Sequence, residues 1–239
     1  MGLALNSIPF GESAVLNTWK DKVNDNLLDR ILYTKQLFNT LFGDEIIEMV
    51  NTYNSLCIYL KAGIDPFQFS EKINSLDLNT ENASINQTLW KIPICFDDKF
   101  AYDLPEILIE KKLSKELFID LFTKPKYRIH FIGFLPGFTY LGGLNPVLSY
   151  ARKSSPRLNV PKGSVGIANE QTGIYPQQSP GGWQIIGQTP LEIFNVNNQS
   201  PSPFKSGDSF QFYDITINEF DLLTKKPLDW NNYKTRFEC

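Results

Sequence analysis

Between Gly133 and Pro190 the chain places 10 of its 15 glycines and 7 of its 15 prolines. Proline removes a backbone donor and locks φ, and each interior glycine costs a helix about 1 kcal/mol. No helix of ordinary length survives that density of breakers. What fits is a set of short strands joined by tight turns, the texture of a β-barrel or β-sandwich. Residues 164–168, 183–186 and 191–196 supply strand candidates, and the period-2 run KYRIHFIGF at 126–134 leads into them.

The earlier part of the chain has a different texture. Residues 13–20 read as a strand with apolar Ala14, Val15, Leu16 and Trp19. Over 25–42, Leu27, Leu28, Ile31, Leu32, Leu37, Phe38, Leu41 and Phe42 recur at helical spacing, with Asn24 or Asp25 to cap the start and Gly43 to end the run. Strands follow at 45–50 and 55–61 around the turn NTYN, then a helix from Asp65 with Pro66 at its first position, then a strand at 88–95. The order βαββαβ is that of a ferredoxin-like half. The polar stretch NTENASINQT at 79–88 reads as a loop. Apolar spacing from 101 to 122 predicts two short helices, the second capped by Ser114 and stopped before Pro125. The expectation is an α+β chain.

Composition removes several functions. A net charge of −3 argues against general nucleic-acid binding, which needs a basic excess. Cys57, Cys95 and Cys239 form no CxxC pair, so neither a zinc site nor a disulfide framework is expected, and a reducing cytoplasmic setting is. The opening MGLALNSIPFGESAVL lacks a basic segment followed by a long apolar run, so no secretory signal is expected. Asn6 stands where a myristoylation motif wants Ser or Thr. No apolar run reaches 18 residues, so no membrane span is expected. His130 is the one histidine, which excludes metal sites built on several His or Cys but leaves a carboxylate-only Mg²⁺ site open. Any Ser-His-Asp or Cys-His site would have to use His130; the plainer reading is a side chain packed against the barrel. Neither GxxxxGK[ST] nor GxGxxG occurs. GFLPGF at 133–138, with Pro136 and two phenylalanines, suits a strand-to-turn junction better than a phosphate loop.

Charge is segregated. Arg152, Lys153, Arg157 and Lys162 against the single acid Glu170 give residues 133–190 a balance of +3, four minus one, and leave −6 elsewhere. A basic patch on an acidic chain points to an anionic ligand. Arg152, Arg157 and Lys162 are spaced by fives; a guanidinium recognises carboxylate or phosphate as a planar fork, and loop-bracing cations are the equal alternative. Ser179-Pro-Gly-Gly-Trp183 reads equally as a structural corner or as one wall of a ligand site, its glycines free to adopt conformations closed to other residues. Trp183 also fits a core anchor. Tyr175 and Ser164 place hydroxyls beside glycines. Phe134, Phe138, Tyr140 and Trp183 are partner-binding anchors if exposed, and barrel filling if not.

Taken in order, IPICFDDKFAYDL, GFLPGFTYLGGL, PRLNVPKGSVGIA and QTGIYPQQSPGGWQIIGQT resemble the family of 5-oxoprolinase B subunits, also called KipI-like or allophanate hydrolase subunit 1. These blocks span roughly 92–195, and GESAVL and YNSLCIYL match more loosely. The resemblance implies a ferredoxin-like domain over 1–90 and a cyclophilin-like β-barrel over 91–239. It implies a cytoplasmic, non-autonomous component of an ATP-hydrolysing 5-oxoprolinase complex that opens 5-oxoproline (pyroglutamate) to L-glutamate. Its partners there would be a homologous cyclophilin-like C subunit and the large A subunit. ATP, with Mg²⁺, would then be used by the complex, and no cofactor held tightly by this chain alone. Related barrel pairs occur in urea carboxylase. Inhibition of a sensor histidine kinase, as credited to KipI, is the alternative, and prolyl isomerisation rests on fold analogy alone. On the enzyme reading, Arg152, Arg157 and Lys162 are the cations available to a phosphoryl group, and Gly181 and Gly182 present backbone N–H groups to an oxyanion. The chain departs from the family in having Ala151 before Arg152 where proline is usual, Lys162 where a small residue is usual, and Phe122 about where a histidine is usual. Catalytic residues are not assigned.

Overall fold

The structure, a computed structural model, describes residues 5–76, 85–226 and 228–236. Most of the loop expected at 79–88, and Cys239, lie outside the described residues. The chain divides into two compact units, Met1–Asn86 and Gln87–Cys239.

In the first unit, β1 (Asn6–Pro9) and β2 (Ala14–Thr18) precede α1 (Asp25–Phe42), β3 (Ile46–Asn51), β4 (Ser55–Leu60) and α2 (Pro66–Asn74). Asn24 Oδ1 accepts from Leu27 N at 2.9 Å, and Asp65 Oδ1 from Phe67 N at 2.9 Å, so both helices begin on side-chain caps. Leu27, Ile31, Phe38 and Phe42 join Val15, Leu56, Ile58, Phe69 and Ile73 in one core, while Leu41, at the margin of the stripe, is exposed. The four-stranded sheet has the order β1-β2-β4-β3, all antiparallel. This corrects the βαββαβ reading. The strand predicted at 88–95 is not the fourth strand of this sheet; β1 takes an edge instead. A four-residue strand ending in proline suits an edge, where one face of the ladder goes unpaired.

That misplaced strand is β5 (Thr88–Ile94) of the second unit. It is followed by α3 (Leu104–Lys111), α4 (Lys115–Thr123), β6 (Tyr127–Ile132), β7 (Thr139–Gly142), β8 (Arg157–Val160), β9 (Ser164–Ala168), β10 (Gln171–Ile174), β11 (Ser179–Gly181), β12 (Gln184–Gln188), β13 (Ser209–Asp214), α5 (Ile217–Thr224) and β14 (Lys234–Arg236). β5 runs parallel to β13 and is buried along most of its length, which its apolar sequence LWKIPI requires. The eight-stranded sheet has the order β12-β9-β10-β7-β6-β13-β5-β14. It curls until the end of β5 meets β12, where Cys95 and Gln188 exchange N–H···O bonds of 2.9 and 3.1 Å. Gly187 permits this approach, since a Cβ there would lie 2.8 Å from Cys95 O. Inside sit Ile92, Ile129, Leu141, Val165, Ile167, Ile174, Ile186 and a run of aromatics. Phe122 is fully buried among Phe96, Tyr127 and Phe212 and belongs to the core.

Residues 191–196, predicted as a strand, form none. Leu191 and Ile193 are buried, but Asn195 N donates to Pro201 O and Asn195 Oδ1 accepts from Asn197 N, so local turns take the bonds a ladder would need. His130 sits where the β6–β7 register shifts, with Nε2 pressed over Gly142: a Cβ there would be 2.3 Å away.

Candidate functional site

The two segments singled out by their residues, PRLNV and SPGG, form a ribbon of their own. Among the described residues β8 and β11 pair only with each other, Ser179 opposite Val160 and Gly181 opposite Arg157. Neither Gly181 nor Gly182 uses the left-handed backbone that the sequence allowed them. Gly181 is needed for clearance instead, because a Cβ there would lie 2.3 Å from the Tyr175 hydroxyl. At Gly182 the same atom would meet Pro156, Arg152 and Lys153 O at an ordinary 3.6–3.7 Å.

Behind the ribbon lies a residue that the sequence reading did not single out. Asp103 ends the segment before α3 and is 3% exposed. Its Oδ1 accepts from Arg157 Nη2 at 2.5 Å and from Lys153 Nζ at 3.0 Å, and its Oδ2 accepts from Ile185 N at 2.6 Å. Its own N–H donates to Ile185 O at 3.0 Å, so Asp103 and β12 grip each other in both directions. Burial pushes this carboxyl up. The hydrogen bonds from Arg157, Ile185 and Lys153, with the Arg157 charge, outweigh it and hold the group below the usual carboxylate range. Asp103 is thus an ionised anchor for two of the four cations. Arg157 also lies 5.9 Å from the Tyr102 ring centre, and its Nη1 is buried without a partner among the described residues.

Arg152 is placed differently. It is exposed, forms no hydrogen bond or ion pair with a described residue, and lies beside Gly182. Next to it is an aromatic floor. Tyr140 stacks on Phe131 at 4.2 Å and meets Trp183 edge-on at 5.8 Å; Phe138 touches Trp183 at 5.3 Å and Tyr175 at 5.2 Å. Burial raises the Tyr140 and Tyr175 phenols; a hydrogen bond with the Trp183 backbone and then the Arg152 charge offset part of the rise at Tyr175, and the Arg152 charge part of that at Tyr140. Phe134, 65% exposed and at φ +66°, rests edge-on against Phe138. Phe138 and Trp183 are buried, so of the aromatics considered as anchors Phe134 is the one that projects. On its other side Arg152 borders a groove of about 540 Å³ with Glu106, Glu110, Tyr150, Lys153 and Gln184. The Glu110 carboxylate accepts the Tyr150 hydroxyl and pushes that phenol up to about 12.

The structure therefore gathers Arg152, Tyr175, Gly181, Gly182 and Trp183, with Arg157 tied down behind them. Lys162 is not among them. It pairs with Glu192 at a second groove of about 670 Å³, bordered by Phe220, Leu223, Asn232 and Tyr233. Ser164 is buried in β9, where its carbonyl accepts from Tyr175 N at 2.9 Å, and Ser179 is buried in β11. Among the described residues no group of His, Cys, Asp and Glu is arranged to hold a metal, and no helix is long and apolar enough to cross a membrane. The arrangement offers one unpaired, exposed guanidinium at the edge of an aromatic cluster, with Tyr175 and the two glycines buried beside it.

Residues 5–204 match the family described as carboxyltransferase domain, subdomain C and D. The 5-oxoprolinase B subunit of Bacillus subtilis (strain 168) is 32% identical over 225 residues, covering 88% of this chain and 92% of its own. That of Haemophilus influenzae is 31% identical over 209 residues, covering 87% and 97%. Among solved structures, TTHA0988 superposes with a TM-score of 0.73 at 28% identity, over 84% of this chain and 40% of that one, so the chain spans about two fifths of its length. The urea carboxylase of Kluyveromyces lactis gives a TM-score of 0.70 over 92% of this chain and 22% of its own; at 18% identity the likeness is one of fold alone.

Proposed function

The chain belongs to the carboxyltransferase subdomain C and D family that includes the 5-oxoprolinase B subunits, and on that premise we propose that it is the B subunit of a complex that opens 5-oxoproline to L-glutamate at the expense of ATP. The observation that carries the reading is the near full-length likeness, in both directions, to two proteins named as 5-oxoprolinase B subunits. A homologous barrel protein and a large third component supply the remaining groups. The curled sheet closed by the Cys95–Gln188 pair supports a cyclophilin-like barrel as the scaffold.

The site chemistry suits a shared role. A lactam resists water until its oxygen is activated, and phosphoryl transfer to that oxygen is a matter of positioning and charge neutralisation. Arg152 is the cation this chain holds ready for a carboxylate or phosphoryl oxygen, being exposed and unpaired among the described residues. Mg²⁺-ATP is assigned to the complex as a whole, since among the described residues no group of carboxylates is arranged to hold the metal.

Reconstitution tests this. Hydrolysis of 5-oxoproline with ATP is expected from the three components together and not from this chain alone. Replacing Arg152 by Ala is expected to lower turnover about 100-fold, the scale for one lost oxyanion donor. Wild-type turnover with Arg152→Ala in a folded complex, or failure of the chain to associate with the other two components, refutes the reading.

A further inference from the structure

We propose that Asp103 is a positioning residue for Arg152, an inference that rests on the function just assigned. Residues 151–156 carry no ladder bonds, and Ala151, Arg152, Ser154, Ser155 and Pro156 are all exposed. A segment of that kind is ordinarily loose. Here it is pinned on both sides of Arg152. Gln184 Nε2 donates to Ala151 O at 2.9 Å, and Lys153 N donates to Gly182 O at 2.8 Å. The Lys153 ammonium then reaches Asp103 Oδ1, where Arg157 Nη2 from the far end of the segment also lands. One buried carboxylate closes the segment into a loop whose foot is β12, through Ile185 N. Arg152 is the residue this clamp leaves unpaired.

The clamp also sorts charge. Arg152, Lys153 and Arg157 lie within six residues, and without a counter-ion they would repel one another and compete for the same incoming anion. Asp103 takes two of the three out of that competition. An incoming anion then meets Arg152, the exposed one of the three, at a fixed place.

The experiment has two arms. In the isolated chain, the backbone amide of Arg152 is expected to show an order parameter near 0.85 by ¹⁵N relaxation, falling below about 0.6 in Asp103→Asn and in Lys153→Met. In the reconstituted complex, Lys153→Met is expected to lower kcat/KM for 5-oxoproline about tenfold or more, while Lys153→Arg, which keeps the ion pair, stays within a few-fold of wild type. Lys153 is partly exposed, so its variants fold even if Asp103→Asn does not. An Arg152 amide equally ordered in folded Lys153→Met overturns the proposal, as does unchanged kcat/KM in that variant. Should the wild-type complex fail to hydrolyse 5-oxoproline, the assigned function falls, and the relaxation arm still judges the clamp.

Discussion

Gly181 and Gly182 are chemically identical neighbours, and the structure assigns them opposite tolerances. An alanine methyl at 181 would sit 2.3 Å from the Tyr175 hydroxyl and 2.8 Å from two of its ring carbons. Tyr175 is 1% exposed and held by Phe138, so it cannot swing aside; it or the ribbon must move by roughly 1 Å. Overpacking of that kind costs about 1–3 kcal/mol, which lowers the melting temperature of a unit this size by roughly 2–4 °C per kcal/mol. At 182 the methyl meets only ordinary contacts, and the backbone is outside the left-handed region. There Ala restricts the unfolded chain and is neutral or gains up to about 1 kcal/mol. Urea and thermal unfolding of the two variants should therefore differ by about 1–4 kcal/mol, the combined range of those effects. Adding Tyr175→Phe to Gly181→Ala removes the 2.3 Å contact but leaves the 2.8 Å ones, so recovery should be partial. If Gly181→Ala unfolds within about 0.5 kcal/mol of Gly182→Ala, well inside what overpacking should cost, the clearance reasoning is wrong.

Asp103→Asn should destabilise the second unit by about 1–3 kcal/mol at neutral pH, because the amide nitrogen leaves Ile185 N–H without an acceptor. Since the native carboxyl titrates below its unfolded value of about 3.9, this advantage of the wild type is full above that pH and fades as pH falls through the lowered native value; urea titrations from pH 7 to 2 would follow it. Lys162→Ala should change stability by less than about 0.5 kcal/mol, because its pair with Glu192 is nearly half exposed on both sides, and equilibrium unfolding would measure it. Arg152→Ala should likewise leave unfolding within about 0.5 kcal/mol of wild type, so any lost activity in the complex reports on the site and not on the fold.

Local signals carried much of the architecture. The helical spacing over 25–42, the Asn24, Asp65 and Ser114 caps and the NTYN hairpin all act within a few residues, and each element appears where those signals put it. The strand at 88–95 also formed, but its sheet was misassigned, because periodicity fixes the conformation of a segment and not its partner. At 191–196 apolar residues suggested a strand, and Asn195 drew the chain into turns. The candidate site was legible in part. The glycines, Trp183, Tyr175 and Arg152 announced themselves by density and charge, whereas the even spacing of Arg152, Arg157 and Lys162 gave no sign that Arg157 would pair with Asp103 and Lys162 with Glu192. Asp103 passed unnoticed as an ordinary polar residue before a helix. Its signal was indirect: four cations facing one acid in 133–190 imply a counter-ion from elsewhere in the chain.

Sequence by itself determined that residues 133–190 would be strands and turns, that the chain would mix helices and sheet, and that positive charge would be concentrated in that same stretch. These follow from backbone sterics and local charge. Only the tertiary structure decided which cation stays unpaired, since that depends on a carboxylate 50 residues from Lys153 and 54 from Arg157. It also decided why Gly181 must be glycine, since a Cβ there would lie 2.3 Å from the buried Tyr175 hydroxyl. The Asp103 contacts arise from how distant segments are brought together in the fold, and no short window of residues encodes that arrangement.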